Sequence, residues 1–128
     1  MSSAAPVKNE YLVIVPDKEG VLQKRVEVRG AHLAGLGPVI ESGFLKVGGA
    51  LMDAHPTDGQ TPPMKGSMLV VVAESPDAVR EQLAKDIYAR EGVWDLDNDR
   101  LLPWVGGSQF PSDFIPRGLR LGSDSTPG

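Results

Sequence analysis

Arg25, Arg29 and His32 stand at i, i+4 and i+7 in the stretch KRVEVRGAHLAGL, a spacing that lines all three along one side of a helix. An imidazole takes or gives a proton near neutral pH, and a guanidinium beside it can hold a carboxylate or oxyanion. The chain carries two histidines and no cysteine, which removes thiolate nucleophiles, disulfides and cysteine-bound zinc. Proton transfer next to a fixed positive charge is therefore the chemistry these residue types offer.

The element that must position them reads as one long helix over Glu19–Gly43. At about 100° per residue, with Leu22 at zero, Val26, Leu33, Leu36 and Ile40 gather within about 40° of it, and Gln23, Glu27, Ala34 and Glu41 take the wet side. Arg29 falls about 20° from the centre of the apolar stripe and His32 about 80° away, beside Arg25. Arg29 is therefore expected to be largely buried against a sheet and to hold a carboxylate from the protein or from a ligand, because an unpaired buried guanidinium is costly. His32 is expected at the edge of the packed face, dry on one side and reachable on the other. A structural His–Arg pair tying helix to sheet is the other reading of the same positions. Gly35, Gly37 and Pro38 interrupt the pattern, so a kink near Gly35 or a restart at Pro38 is expected.

Four strand-like runs and a second helix surround this segment. EYLVIVPD (Glu10–Asp17) is an apolar run closed by Pro16. GFLKVGGALMD (Gly43–Asp53) carries Gly48 and Gly49, which let a ligand approach the backbone or simply relieve packing. A polar loop with an exposed His55 leads to GSMLVVVAE (Gly66–Glu74). Ser75 then caps a helix with Pro76 in its first turn, and DIYAREG adds one more turn ended by Gly92. VWDLDNDRLLPWV (Val93–Val105) is read as the last strand, irregular in its middle. Strand, helix, strand, strand, helix, strand is the ferredoxin-like α+β pattern: an antiparallel four-stranded sheet with the helices on one face. Leu12–Val15 and Met68–Val72 offer apolar groups to both faces, so the second face also needs cover, and a homodimer supplies it. Residues 1–9 are read as a flexible N-terminus, 10–105 as the domain and 106–128 as a C-terminal tail, with Phe110, Phe114 and Ile115, lying on a surface.

Several function classes fall away. The net charge is −4 with scattered lysines and arginines, which leaves no footprint for nucleic acid. No apolar run approaches the ~18 residues of a membrane span, and MSSAAPVKNE lacks the apolar core of a signal peptide, so a cytoplasmic location is expected. There is no GxGxxG, P-loop, HExxH or serine elbow, so neither a cofactor nor a metal is expected. DLDNDR fails as a calcium loop, because Arg100 stands where glycine is needed.

KRVEVRGAHLAGL, GFLKVGGAL, GSMLVVVAES and DIYAREGVW, in this order and spacing, resemble the YciI-like (YCII-related) family over roughly residues 10–104. The resemblance implies the dimeric α+β barrel, in which two ferredoxin-like sheets close face to face. It also implies a His–Asp pair proposed as acid–base machinery, and similar members include a dehydrochlorinase acting on a hydroxylated aromatic ring. Carried over position by position, the pair is His32 and Asp86. Ile87 departs from the family, which usually has proline there. Asp86 also suits the N-cap of the turn Ile87–Arg90, and the two roles can coexist. The substrate-binding candidates are Arg29, Gly49, Ser67, Tyr88 and Trp94. For Ser67 the bland reading is a plain strand-end serine, and for Tyr88 and Trp94 it is core. The expected function is a small cofactor-free lyase, dehydratase, isomerase or cyclase acting on a small oxygenated metabolite. The alternative is a non-catalytic dimeric binding or accessory protein that uses the same pocket.

Overall fold

The computed structural model describes residues 7–106. β1 (Asn9–Pro16) alternates: Tyr11, Val13 and Val15 are buried, while Leu12 and Ile14 are half-buried on the opposite side. It is a central strand, paired with β3 (Met64–Ala73) on one side and with β4 (Arg100–Trp104) on the other. β2 (Leu45–Met52) completes the sheet beside β3, in the order β2-β3-β1-β4 with every neighbour antiparallel. This is the expected ferredoxin-like α+β arrangement. Among the described residues no helix is long and apolar enough to cross a membrane.

The helices are α1 (Leu22–Ala34), α2 (Leu36–Glu41), α3 (Pro76–Leu83) and the single turn α4 (Ile87–Arg90). All four contribute to one core with the inner sheet face, where Val13, Val15, Leu69 and Val71 meet Val28, Leu36, Val79, Leu83 and Tyr88. α3 begins as its sequence requires: Ser75 accepts the Ala78 backbone N–H at 3.1 Å, and Pro76 occupies the first turn. α4 ends at Gly92, whose φ of +74° lies in the left-handed region that glycine reaches without a Cβ clash.

The long helix is broken where expected. Gly35 closes α1, its N–H shared between the carbonyls of Ala31 and His32 at 3.1 Å each, and α2 starts at once. Pro38, in the first turn of α2, has no N–H to return to α1. The rotation of α1 differs from the expectation. Val26, Leu33 and Ile40 are 39%, 46% and 54% exposed. The inward stripe is Val21, Arg25, Val28 and His32, continued by Leu36 and Val39, displaced by roughly 80° from the stripe of aliphatic residues. Two polar side chains with partners beneath them take the central positions, and aliphatic groups are left outside.

The last segment also differs. Only Arg100–Trp104 is strand. Trp94 makes an isolated bridge to Asp17, and a 3-10 turn follows at Leu96–Asn98. Asp95 forces that turn by accepting the Asn98 side-chain amide at 2.7 Å and the Asn98 backbone N–H. The segment after α4 is thereby stitched to the end of β1, with the Lys18 N–H donating to the Val93 carbonyl and the Asp95 N–H to the Pro16 carbonyl. The N-terminal six residues and the tail from 107 onward, with Phe110, Phe114 and Ile115, lie outside the described residues.

The outer sheet face carries Leu12, Ile14, Met68, Val70, Val72 and Leu102, in register across β1, β3 and β4. One strand contact is too close for any side chain: a Cβ on Gly66 would stand 2.6 Å from the Val15 carbonyl oxygen and 3.2 Å from the Pro16 Cα. Gly66→Ala must therefore push β3 off β1 and should destabilise the fold by about 1–3 kcal/mol. A lowered urea midpoint at unchanged slope is the expected readout, and an unchanged midpoint would refute the close approach.

Candidate active site

Arg25 projects from α1 into the core and is 3% exposed. Its Nη1 donates to both carboxylate oxygens of Asp17, at 2.7 and 3.0 Å, and its Nη2 donates to the Ser67 hydroxyl oxygen at 3.0 Å. The indole Nε1 of Trp94 donates to the same oxygen at 3.1 Å. Asp17 follows β1 directly and Ser67 lies near the start of β3, so the guanidinium ties two distant segments to α1, and the Ser67 oxygen brings in a third, Trp94 beyond α4. Burial lifts the Asp17 carboxyl above its ordinary value, opposed by the charge and hydrogen bonds of Arg25.

Two turns further along α1, His32 Nδ1 lies 2.8 Å from Asp86 Oδ1. Asp86 is the N-cap of α4, and the same oxygen accepts the Tyr88 backbone N–H at 2.8 Å. A carboxylate only accepts, so the proton between them belongs to His32 Nδ1, which in the neutral imidazole makes Nε2 the nitrogen with the lone pair. The imidazole stacks flat on the Tyr88 ring, centroids 3.9 Å apart at 14°, and meets Trp94 edge-on at 6.0 Å. The Arg25 guanidinium lies 4.5 Å from the Tyr88 ring centre. Burial holds the Tyr88 phenol above its ordinary value, with the Arg25 and Arg29 charges opposing, so it is a neutral hydroxyl at physiological pH.

Two adjoining cavities of about 200 Å³ each share His32, Leu36, Leu45, Leu69 and Trp94. One opens between α1, β2 and β3 and is lined by Arg25, Arg29, Gly48, Gly49, Ser67 and Tyr88. The other runs toward α3 and α4 and is walled by Val39, Phe44, Leu83, Asp86 and Ile87. The imidazole thus belongs to both.

His32 and Asp86 are brought within hydrogen-bond reach, and Ser67, Tyr88 and Trp94 converge beside them. Gly49 lines the first cavity, but the glycine on the inner face is Gly48, the register partner of buried Leu69. Arg29 is a correction. It is exposed at the rim of that cavity, and among the described residues no acidic side chain lies within salt-bridge distance of it. The buried, carboxylate-bound guanidinium is Arg25, one helical turn earlier. Asp17 was missed as a site-forming residue, and Arg25, placed beside His32 by its spacing, was not expected to be the buried guanidinium. The 3–4 spacing of Val21, Arg25, Val28 and His32 was a signal for them, and an aspartate closing a strand was another. His55 is exposed, as expected.

Residues 9–97 match the family described as YCII-related domain. The chain belongs to this family. Fusaric acid biosynthesis protein 2 of Gibberella fujikuroi is 34% identical over 95 residues, which is 74% of this chain and 91% of that protein. Aspartate kinase FUB3 of Fusarium oxysporum f. sp. lycopersici is 35% identical over 95 residues, which is 74% of this chain but only 18% of that protein. Among solved structures, the 5-chloro-2-hydroxyhydroquinone dehydrochlorinase TftG of Burkholderia phenoliruptrix AC1100, in complex with 2,5-dihydroxybenzoquinone, superposes with a TM-score of 0.63 at 31% identity, covering 77% of this chain and 95% of that one.

The two arginines of the YCII-related domain should separate cleanly. Arg25→Met leaves Asp17 buried without a partner and should lose about 3–5 kcal/mol in denaturant unfolding. Replacing both, as Arg25→Met with Asp17→Leu, should recover much of that loss. Arg29→Met, on the surface, should stay within about 0.5 kcal/mol of the parent. Equal losses for Arg25→Met and Arg29→Met would contradict the assignment.

Proposed function

We propose that the chain is a small cofactor-free enzyme in which His32, held by Asp86, moves a proton on a small oxygenated metabolite. The observation that carries this reading is the bond from His32 Nδ1 to the N-cap carboxylate of α4, which leaves Nε2 as a base at the wall of two cavities. In the first step Nε2 forms a bond to a proton of the ligand. The pair from the broken C–H or O–H bond moves onto a conjugated carbonyl oxygen. Asp86 steadies the imidazolium. Arg29, at the cavity rim, meets the new negative charge. Return of the proton to another atom, or to a leaving group, gives isomerisation, elimination or cyclisation. Support comes from the similar dehydrochlorinase, whose structure holds 2,5-dihydroxybenzoquinone, and from a relative named for fusaric acid biosynthesis.

The reading includes a homodimer in the cytoplasm. The apolar outer sheet face supports the dimer, with Val47 52% and Trp104 41% exposed around it. Light scattering should return a dimer, and Ile14→Glu, at the centre of that face, should return a monomer; a monomeric parent protein would reject the interface.

On a substrate that is turned over, His32→Ala should lower kcat/KM by about 10²–10⁴-fold and erase the limb on which the rate rises with pH. Asp86→Asn should lower kcat without a comparable rise in KM, because it disturbs the imidazole rather than ligand contacts. Turnover that survives His32→Ala would reject the acid–base role, and a ligand that binds tightly without turnover would favour the binding-module reading.

A further inference from the structure

We propose that Ser67 is a specificity-determining hydrogen-bond donor, locked in that role by Arg25 and Trp94, and that the ligand it takes presents an anionic oxygen conjugated to the atom His32 deprotonates. The inference rests on the acid–base reading of the same site and names the ligand class for it.

A serine hydroxyl has one proton to give and two lone pairs to offer. An ordinary serine rotates between donating and accepting as its partner demands. Here both lone pairs are occupied. Arg25 Nη2 lies 3.0 Å and Trp94 Nε1 3.1 Å from the Ser67 oxygen, and guanidinium and indole N–H groups can only donate. The hydroxyl proton is all that remains, and among the described residues no acceptor takes it. Ser67 is 5% exposed and lines the cavity that His32 and Tyr88 also line. Turning the hydroxyl round would break a charge-assisted bond in a dry site.

Asp17 neutralises the Arg25 guanidinium, so Arg25 does not itself recruit an anion but polarises the Ser67 O–H toward the cavity. The neighbouring polar groups point the same way in chemical terms. The Tyr88 phenol is held protonated by burial, and Arg29 stands at the rim. A wall of donors beside one imidazole base suits an oxygen that gains charge as a proton leaves: an enolate, or the anion of a hydroxylated quinone. A ligand whose only polar group is a donor would leave Ser67 unsatisfied.

The probe is 2,5-dihydroxybenzoquinone, whose absorbance reports both binding to the full chain and its own protonation state. The wild-type chain should bind it and lower the pH at which the bound quinone ionises. Ser67→Ala should weaken binding by about 10- to 100-fold and reverse that shift in ionisation. Ser67→Thr, which keeps the hydroxyl, should restore both. Trp94→Phe frees one lone pair and should reverse part of the ionisation shift, an effect that loss of packing alone would not produce. Should Ser67→Ala fail to fold, Ser67→Thr and Trp94→Phe carry the test. Wild-type protein that does not bind the quinone, or Ser67→Ala binding within twofold of wild type, overturns the proposal. Persistent turnover in His32→Ala, with binding still dependent on Ser67, would instead overturn the acid–base reading and leave the donor role standing.

Discussion

The buried ion pair between Arg25 and Asp17 sets the orientation on which the rest of the site depends. By pulling Arg25 inward, it fixes the rotation of α1 about its own axis, and His32, seven residues on, is turned toward Asp86 by the same rotation. Were α1 turned to bury Val26, Leu33 and Ile40 instead, about 1.5–3 kcal/mol per side chain would be gained from burial, but Arg25 would leave Asp17 behind as an unpaired carboxylate. That gain is offset by the burial Val21, Val28 and Val39 would lose in the same rotation, so the broken ion pair decides the balance. The aliphatic groups therefore stay outside, and a helix with an unremarkable apolar stripe becomes the positioning element of a polar site.

The Ser67 oxygen extends this constraint across the sheet. It accepts from a helix and from the segment after α4, so its position on β3 registers both against the strands. The aromatic layer completes the arrangement: Tyr88 lies flat under His32 and beside Arg25, and Trp94 closes the edge. Phenol and indole leave little freedom for the His32 ring, which borders both cavities, and such preorganisation is what the proposed proton transfer requires.

Asp86 shows how a local requirement and a chemical one share a residue. Capping α4 needs a side-chain oxygen at the helix start, worth about 1 kcal/mol. The same carboxylate, already held by the Tyr88 N–H, is a fixed acceptor for His32. Ile87, in place of the family's usual proline, leaves this geometry intact, because the cap bond runs to Tyr88 and not to residue 87.

The pairing of His32 with Asp86, 54 residues apart, was implied by the family resemblance; the sequence by itself determined the order of elements, the α3 cap at Ser75 and the break after α1 at Gly35. Those features are written in local chemistry: alternation, capping oxygens, a proline without a donor. The rotation of α1 was not, because a periodicity count weighs hydrophobicity alone, and Arg25 is buried only by partners 8 and 42 residues away. Nor was the inner-facing glycine. Plain alternation from buried Leu45 would turn Gly49 inward, but a register shift between Leu45 and Val47 inverts the alternation and presents Gly48. The last strand was shortened for a similar reason, since the bonds of Val93 and Asp95 to the end of β1 compete with straight continuation. For α1 and the last strand a long-range ion pair or hydrogen bond outweighed the local pattern, and for β2 the pairing register with β3 did; such partners come together only in the tertiary structure.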